Sequence, residues 1–320
     1  MRLLGVELTR YLSRRAVAVT LLVAMALGAL LVASTAWSTR PADATEQATA
    51  ERLLEENREA GEAEHRACLD APEEYLGPDA TAAECETIRP QLEWFLPRDA
   101  LSIERELENR GTVFLVLLAV VAILVGSTFV GADWSSGSMG TQLLFVPRRL
   151  RVWAAKAVAV VAGTTVAAAV LLAAYWGALA LFAAGRGIST PDEAWTDVLS
   201  TSGRGVALVA AVTLGGYALT MLLRHTVATL GLLFGYAVVG EGLAASLPFE
   251  RMSQWSMAHN VLAWLHDGTD VFDGSICGVD EAGCDRWYTL SLEHAAAYLG
   301  VLLLVSVVAS LVAFRRRDVP

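Results

Sequence analysis

Lysine is almost absent from this sequence: among 320 residues there is one, Lys156. No G-x-x-x-x-G-K-[ST] loop leads to it, so the chain has no P-loop to cradle nucleotide phosphates. H-E-x-x-H is missing, which excludes a zincin type of intramembrane protease, and G-x-S-x-G is missing too. A glutamate/histidine membrane protease would need a second acid gathered near Glu241, and "GEGLAAS" offers none. No catalytic residue is therefore assigned. Cysteine is limited to Cys68, Cys85, Cys277 and Cys284. A metal site at His65 and Cys68 lacks a second compact ligand pair, so none is expected. Charged residues make up only 18% of the chain, against 55% hydrophobic residues and a mean hydropathy of +0.47. A soluble domain rarely reaches that balance.

Long apolar runs take the place of what is missing. The hydrocarbon core of a bilayer is about 30 Å thick and needs roughly 20 apolar residues per helix. Six runs qualify: Ala16–Ala36, Thr112–Ala132, Val152–Ala183, Val206–Leu223, Val227–Leu247 and Ala295–Phe314. The third exceeds what a span needs and is expected to tilt or to project at one end. The first begins like a signal peptide, but its run of about 20 residues outlasts the usual 7–15 residue core, so it reads as a retained span.

Charge assigns the sides. Short loops rich in Arg stay in the cytoplasm. Arg2, Arg10, Arg14 and Arg15 precede the first span; Arg148, Arg149, Arg151 and Lys156 follow the second. Arg224 follows the fourth, and Arg315, Arg316 and Arg317 follow the sixth. Only Glu7, Asp133 and Asp318 oppose these twelve basic residues. Both termini are thus expected in the cytoplasm of a multi-pass plasma-membrane protein with an acidic outer face. All four cysteines fall on that outer side. Disulfides persist in oxidising compartments, and Cys68–Cys85 with Cys277–Cys284 is the simple pairing among three that four cysteines allow.

The expected organisation follows. Residues 1–15 form an interfacial amphipathic helix, with Leu3, Leu4, Leu8, Tyr11 and Leu12 on one face and Glu7, Arg10 and Arg14 on the other. A plain extension of the first span (16–37) fits those residues equally. Residues 38–111 form an outer acidic helical segment, with a second helical arm over "PRDALSIERELENR". Its acids would attract a cationic substrate, or they merely solvate an outer face. Residues 112–247 hold spans two to five, with an elbow at 133–151. Residues 248–294 return outside, where "MSQWSMAHNVLAWLH" reads as a short helix on the outer leaflet and Ser291 as a cap for the sixth span. Residues 295–320 are that span and a basic tail. The fold class is an all-α membrane protein of six transmembrane helices, with an interfacial helix, a cytoplasmic coupling helix and two outer loop subdomains.

Two features ask for a role. Glu241 is an acid inside the fifth span, costly unless it faces protein or water. Gly231 and Gly235 form a G-x-x-x-G pair beside it, fit either for packing within one subunit or for a subunit seam. The elbow is the second feature. Ser135 or Ser136 is placed to cap a short helix, Gly137 and Gly140 permit close backbone approach, and Pro147 ends the helix. Met139, Leu143, Leu144 and Phe145 are apolar outside the membrane, which suits a docking surface. Arg148, Arg149 and Arg151 would sit at lipid phosphates, and Lys156 would snorkel towards them.

"FVGADWSSGSMGTQLLFVPRRLRVWAAK" resembles the segment after the second span in membrane subunits of ABC exporters of the ABC-2 type. The pattern there is an acid, G-[ST]-x-x-x-L-L, P-x-R and a lysine opening the third span. Here these are Asp133, Gly140–Thr141, Leu144, Pro147, Arg149 and Lys156. The acid is more often glutamate in that family, so Asp133 departs from it. "GLLFGYAVVGEGL" resembles the fifth span of actinobacterial members. The resemblance implies a permease that pairs with a second permease subunit, as homodimer or heterodimer, over cytoplasmic ATPase subunits that bind Mg-ATP. No cofactor is implied in this chain. The coupling helix would use Asp133, Ser136, Gly137, Met139, Thr141, Leu144, Pro147, Arg148, Arg149 and Lys156. Gly231, Gly235 and Glu241 would lie near the substrate path or the seam. A sensor or assembly protein working through the large outer segment is the alternative. Membrane lipids are expected partners, and nucleic acid is not.

Overall fold

In the computed structural model, residues 2–77, 80–246, 249, 251–273 and 286–316 are described. Six helices are long and apolar enough to cross a membrane: Arg15–Ser38, Ile103–Ser135, Arg149–Gly185, Asp192–Leu223, Thr226–Leu243 and Leu292–Arg316. The chain is thus a helical, multi-pass membrane protein. It divides into two compact units, one of Met1–Leu31 with Ile103–Pro320 and the other of Val32–Ser102.

Five of the six predicted apolar runs lie within their helices, and the fifth, Val227–Leu247, runs past Leu243 and ends outside the described residues; elsewhere the helices outrun the runs where polar residues continue them. The second span starts nine residues early, at Ile103, and passes through a π-helical turn at Leu107–Gly111. "IERELENR" meets no breaker before the apolar run, so it becomes the head of that span instead of a separate outer arm. The fourth span starts at Asp192, because Asp192, Glu193, Asp197 and Arg204 lower hydropathy without interrupting the helix. The third, at 37 residues, is about 55 Å long at 1.5 Å per residue. It exceeds an apolar slab of about 30 Å and must tilt or project.

The second and fourth spans form the tightest seam. A methyl group on Gly126 would overlap the backbone carbonyl of Thr213, and one on Gly216 would meet that of Ile123 at 2.9 Å. Small residues there let the two backbones touch. Around this seam Phe114, Phe129, Val125, Leu179 and Tyr217 are buried. The Tyr217 hydroxyl donates to the Trp153 carbonyl at 2.8 Å, and the Trp153 indole donates to Ser310 at 3.1 Å, tying the fourth, third and sixth spans together. Val19, Leu22 and Leu30 on the first span and Val301, Leu304 and Val305 on the sixth stay exposed, as faces in lipid do.

In the unit Val32–Ser102 one helix dominates, Ala44–Asp70. Asp43 caps it by accepting from the Thr45 and Glu46 amides, while Glu46 accepts from the Asp43 amide at 2.9 Å. Arg98 clasps the Glu46 carboxylate, and its hydrogen bonds hold that carboxyl below its ordinary range. Pro72 opens a short helix, Pro72–Leu76, since proline suits a first helical position. Cys68 and Cys85 are joined, the simple pairing among the three that the sequence left open.

The segment between the fifth and sixth spans adds an element that the sequence reading did not contain. The expected short helix is Met257–His266. It is followed by a two-stranded antiparallel ribbon, β1 (Thr269–Phe272) with β2 (Trp287–Leu290), registered Thr269 to Leu290 and Phe272 to Trp287. Val271 and Leu290 pack with Ala263 and Ala295 in a small core. Four-residue strands so far apart in sequence leave no hairpin turn signal to read. Ser291 caps the sixth span as expected, accepting from the His294 amide at 3.3 Å. Cys277 and Cys284 lie outside the described residues.

The Cys68–Cys85 bond closes a sequence separation of 17 residues, a loop for which chain entropy predicts about 3 kcal/mol. Replacing both cysteines by serine should raise amide exchange along Ala44–Asp70 on the order of a hundredfold and leave the spans unchanged. Hydrogen-exchange mass spectrometry on the full chain reads both.

Candidate functional site

The elbow leaves the second span at Ser135 and turns through Gly137, whose φ of +69° favours glycine. Its helix is Ser138–Phe145. Neither Ser135 nor Ser136 caps it; their hydroxyls fold back to the Ala132 carbonyl at 3.2 and 2.7 Å. The cap position falls on Gly137 itself, and Ser138 turns its hydroxyl to Asp133 at 3.3 Å.

Beside this helix lies a buried cluster of charges. Lys156 is fully buried and donates to Asp133 Oδ2 at 2.5 Å and to Glu7 Oε2 at 3.0 Å. Asp133 Oδ1 accepts from Arg14, whose other arm reaches the Phe129 carbonyl. Glu7, also fully buried, accepts at Oε1 from the Gln142 amide at 2.6 Å and from Arg10 at 3.5 Å. The Phe129 ring lies under both cations, 4.7 Å from the Arg14 guanidinium and 5.9 Å from the Lys156 ammonium. Two carboxylates and two buried or half-buried cations therefore neutralise one another. The N-terminal helix Arg2–Ser13, the head of the first span, the tail of the second, the elbow helix and the head of the third meet here.

This overturns two expectations. Lys156 does not snorkel: its ammonium ends in protein, on two acids. The N-terminal helix is amphipathic, but its leucine face, with Leu4, Leu8 and Leu12, is the exposed one, while Glu7 and Tyr11 turn inward. Tyr11 bonds Thr164 at 3.2 Å and packs on Gly163, and burial raises its hydroxyl pKa. A lipid-facing leucine stripe and a protein-facing Glu7 satisfy both faces at once.

Of the other elbow residues, Met139 is fully buried and Thr141 exposed. Leu144 and Phe145 are 84% and 83% exposed, a free apolar tip. Pro147 follows the helix end. Arg149 donates to the Phe314 and Arg315 carbonyls at 3.3 and 3.4 Å, and Arg148 faces a separate groove. Neither joins the cluster. Glu7, Arg14 and Gln142 do, and the sequence reading had given them no such role. A signal existed: Glu7 is the only acid before Asp43, Asp133 the only one between Glu108 and Asp192, and Lys156 the only lysine.

Glu241 finds its partners elsewhere. Its carboxylate accepts from Ser256 Oγ at 2.5 Å and from the Met257 and Ala258 amides at 2.6 and 3.3 Å. It caps the helix Met257–His266, where bare amides favour an anion. Among the described residues, and leaving aside their own helix backbone, nothing lies within 4 Å of where a methyl on Gly231 or Gly235 would sit. At the other end of the second span, Glu104, Glu108, Asp197, Asp267 and Arg204 line a cavity of about 300 Å³ with His266. Arg204 pairs with Asp267 there at 2.8 Å. Burial lowers the His266 imidazole's pKa, and its Nε2 bonds Thr112 at 2.9 Å. Among the described residues no group of three or more acids, histidines or cysteines is arranged to hold a metal ion.

Replacing Lys156 by methionine leaves two buried carboxylates facing each other, a loss of about 3–5 kcal/mol for a broken buried pair. Thermal unfolding in detergent should show it. Adding Glu7→Gln should recover part of the loss, since Glu7 is then neutral and Asp133 keeps Arg14 as its cation.

Compared with protein-family models, with curated proteins and with solved structures, the chain has no match.

Proposed function

We propose that this chain is the membrane-spanning permease subunit of an ATP-driven exporter, worked by a separate cytoplasmic ATPase. The observation that carries the reading is the elbow helix Ser138–Phe145. Its base is fixed in the buried ion cluster and its tip, Leu144 and Phe145, is free and apolar. A docking partner that closes on the tip moves a lever rather than a loop. The lever's base is bonded to the second span through Asp133, to the third through Lys156 and to the N-terminal helix through Glu7, so these elements move together. Nucleotide would then bias two arrangements of the spans by its different affinity for each. The resemblance of the stretch from Phe129 to Lys156 to exporters of the ABC-2 type supports the same reading, and with it Mg-ATP in the partner and a second permease subunit.

The open face around Gly231 and Gly235 suits that second subunit. Glu241, engaged in capping, acts here as a structural anchor of the outer helix rather than as a substrate ligand. A sensor or assembly role is the competing reading, favoured by the separate disulfide-closed unit Val32–Ser102. It predicts stable partners through that unit and no ATPase.

Mild-detergent purification of the tagged chain from its own host should bring down a Walker-A subunit and vanadate-sensitive ATP hydrolysis. Leu144→Asp with Phe145→Asp should remove both while the chain still inserts and folds, because the tip contributes nothing to the cluster. An ATPase that stays bound and coupled to that variant would refute the lever.

A further inference from the structure

A second feature lies beside the elbow and takes no part in the ion cluster. The turn after the elbow helix, the head of the third span and the tail of the sixth enclose a groove of about 500 Å³. Pro147, Arg148, Arg149, Leu150, Arg151 and Arg315 line it. Four of the six are arginines and none is an acid. Arg149 pins the two spans through the Phe314 and Arg315 carbonyls. The guanidinium groups of Arg148, Arg151 and Arg315 make no hydrogen bond or ion pair among the described residues. Three cations that lack a partner among the described residues, one from the turn and one from each of two helices, thus share one concavity. Like charges that line one groove repel, and an anion placed among them offsets that cost.

We propose that this groove is a binding site for the phosphate headgroup of an anionic phospholipid. Guanidinium forks match phosphate oxygens in pairs, which a point charge cannot do. The surroundings favour a lipid over an acidic protein segment. Leu150, 44% exposed, sits among the arginines, and Val312, one turn before Arg315, is exposed as well. Both helices become apolar directly beyond the groove, so a ligand held there has its headgroup on the arginines and its chains along the spans. A carboxylate-bearing peptide would leave that apolar flank uncovered. Bound lipid would brace the third span against the sixth where Arg149 already joins them. The proposal rests on the spans alone and not on an ATPase partner.

The test uses the full chain in nanodiscs of phosphatidylcholine carrying a minor share of phosphatidylglycerol. Native mass spectrometry after transfer to detergent counts which lipid stays bound. Phosphatidylglycerol should be retained over phosphatidylcholine, and excess inorganic phosphate should leave it in place. R148Q/R151Q/R315Q should lower that preference by roughly fivefold for each arginine removed. R52Q/R58Q/R89Q, which removes equal charge from the unit Val32–Ser102, should not change it. Should the triple variant fail to fold, the single changes Arg148→Gln and Arg315→Gln, both at exposed positions, should each give the fivefold loss. Unchanged lipid preference in the groove variants overturns the proposal. So does displacement of the lipid by phosphate, which would make this a soluble-anion site. Loss of a co-purifying protein with lipid preference intact would assign the groove to that protein instead. No ATPase enters the lipid measurement, so its failure leaves the proposed function standing.

Discussion

The buried ion cluster is the constraint on which the elbow end of this molecule depends. Taking an ammonium or a carboxylate out of water costs several kcal/mol each, even after the protein relaxes. Lys156 and Glu7 have no exposed surface at all. Their burial is tolerable only with every partner in place. Lys156 needs both Glu7 and Asp133; Asp133 needs Arg14 as well; Glu7 needs Gln142. Each comes from a different segment. The N-terminal helix cannot peel away without stranding Glu7, and the elbow cannot swing alone without stripping Glu7 of its amide donor. A set of short polar contacts thereby turns five segments into one mechanical element.

The rest of the bundle is held by a different physics. Where the middles of the second and fourth spans cross, backbone meets backbone at Gly126 and Gly216. Such packing relies on close dispersion contacts, since lipid removes the hydrophobic drive between helices. It resists separation but leaves sliding less restricted than ion pairs do. One end of the second span is thus fixed by charge and its middle by shape. At its other end the π-helical turn Leu107–Gly111 opens the backbone beside the acidic cavity. The fifth span contrasts with this. Val227, Phe234, Val238 and Val239 are exposed along its length. Within the chain, Glu241 holds its end through the cap on Met257–His266, and the Tyr236 hydroxyl meets that of Tyr298 at 2.8 Å.

Much of this was legible in the sequence, and what was not has physical reasons. Apolar runs of about 20 residues have one stable fate in a bilayer, so all six spans could be read. Their ends could not, because "IERELENR" and the stretch from Asp192 to Arg204 are helical yet polar, and hydropathy sees only the second property. Sidedness pointed to disulfides, but Cys68–Cys85 was only the simplest of three pairings. The elbow pattern contains both Asp133 and Lys156, but nothing in their spacing announces the direct bond between them. Lys156 was assigned to lipid phosphates by a rule for lysines near span ends, and that rule fails when two acids are closer than the headgroups. Glu7 was placed on the wet face because helical periodicity says which residues share a side, not which side meets protein. The ribbon of β1 and β2 stayed hidden because its strands are short and pair across 14 intervening residues.

The short side chain of Asp133 bears on how the proposed lever would work. It keeps the carboxylate near its own helix, and both cations come to it: Arg14 on one oxygen, Lys156 on the other. The junction of the first, second and third spans therefore passes through a single carboxylate. The elbow helix is not bonded to that carboxylate alone. Gln142, three residues from the free tip at Phe145, reaches Glu7 instead, and Glu7 reaches Lys156. A push on the tip consequently arrives at Lys156 by two routes, through the turn at Gly137 to Asp133 and through Gln142 to Glu7. The first route contains a flexible glycine and the second does not. In the proposed lever, force would pass mainly through the Gln142–Glu7–Lys156 path, and the N-terminal helix would be a transmitting element rather than an anchor beside it.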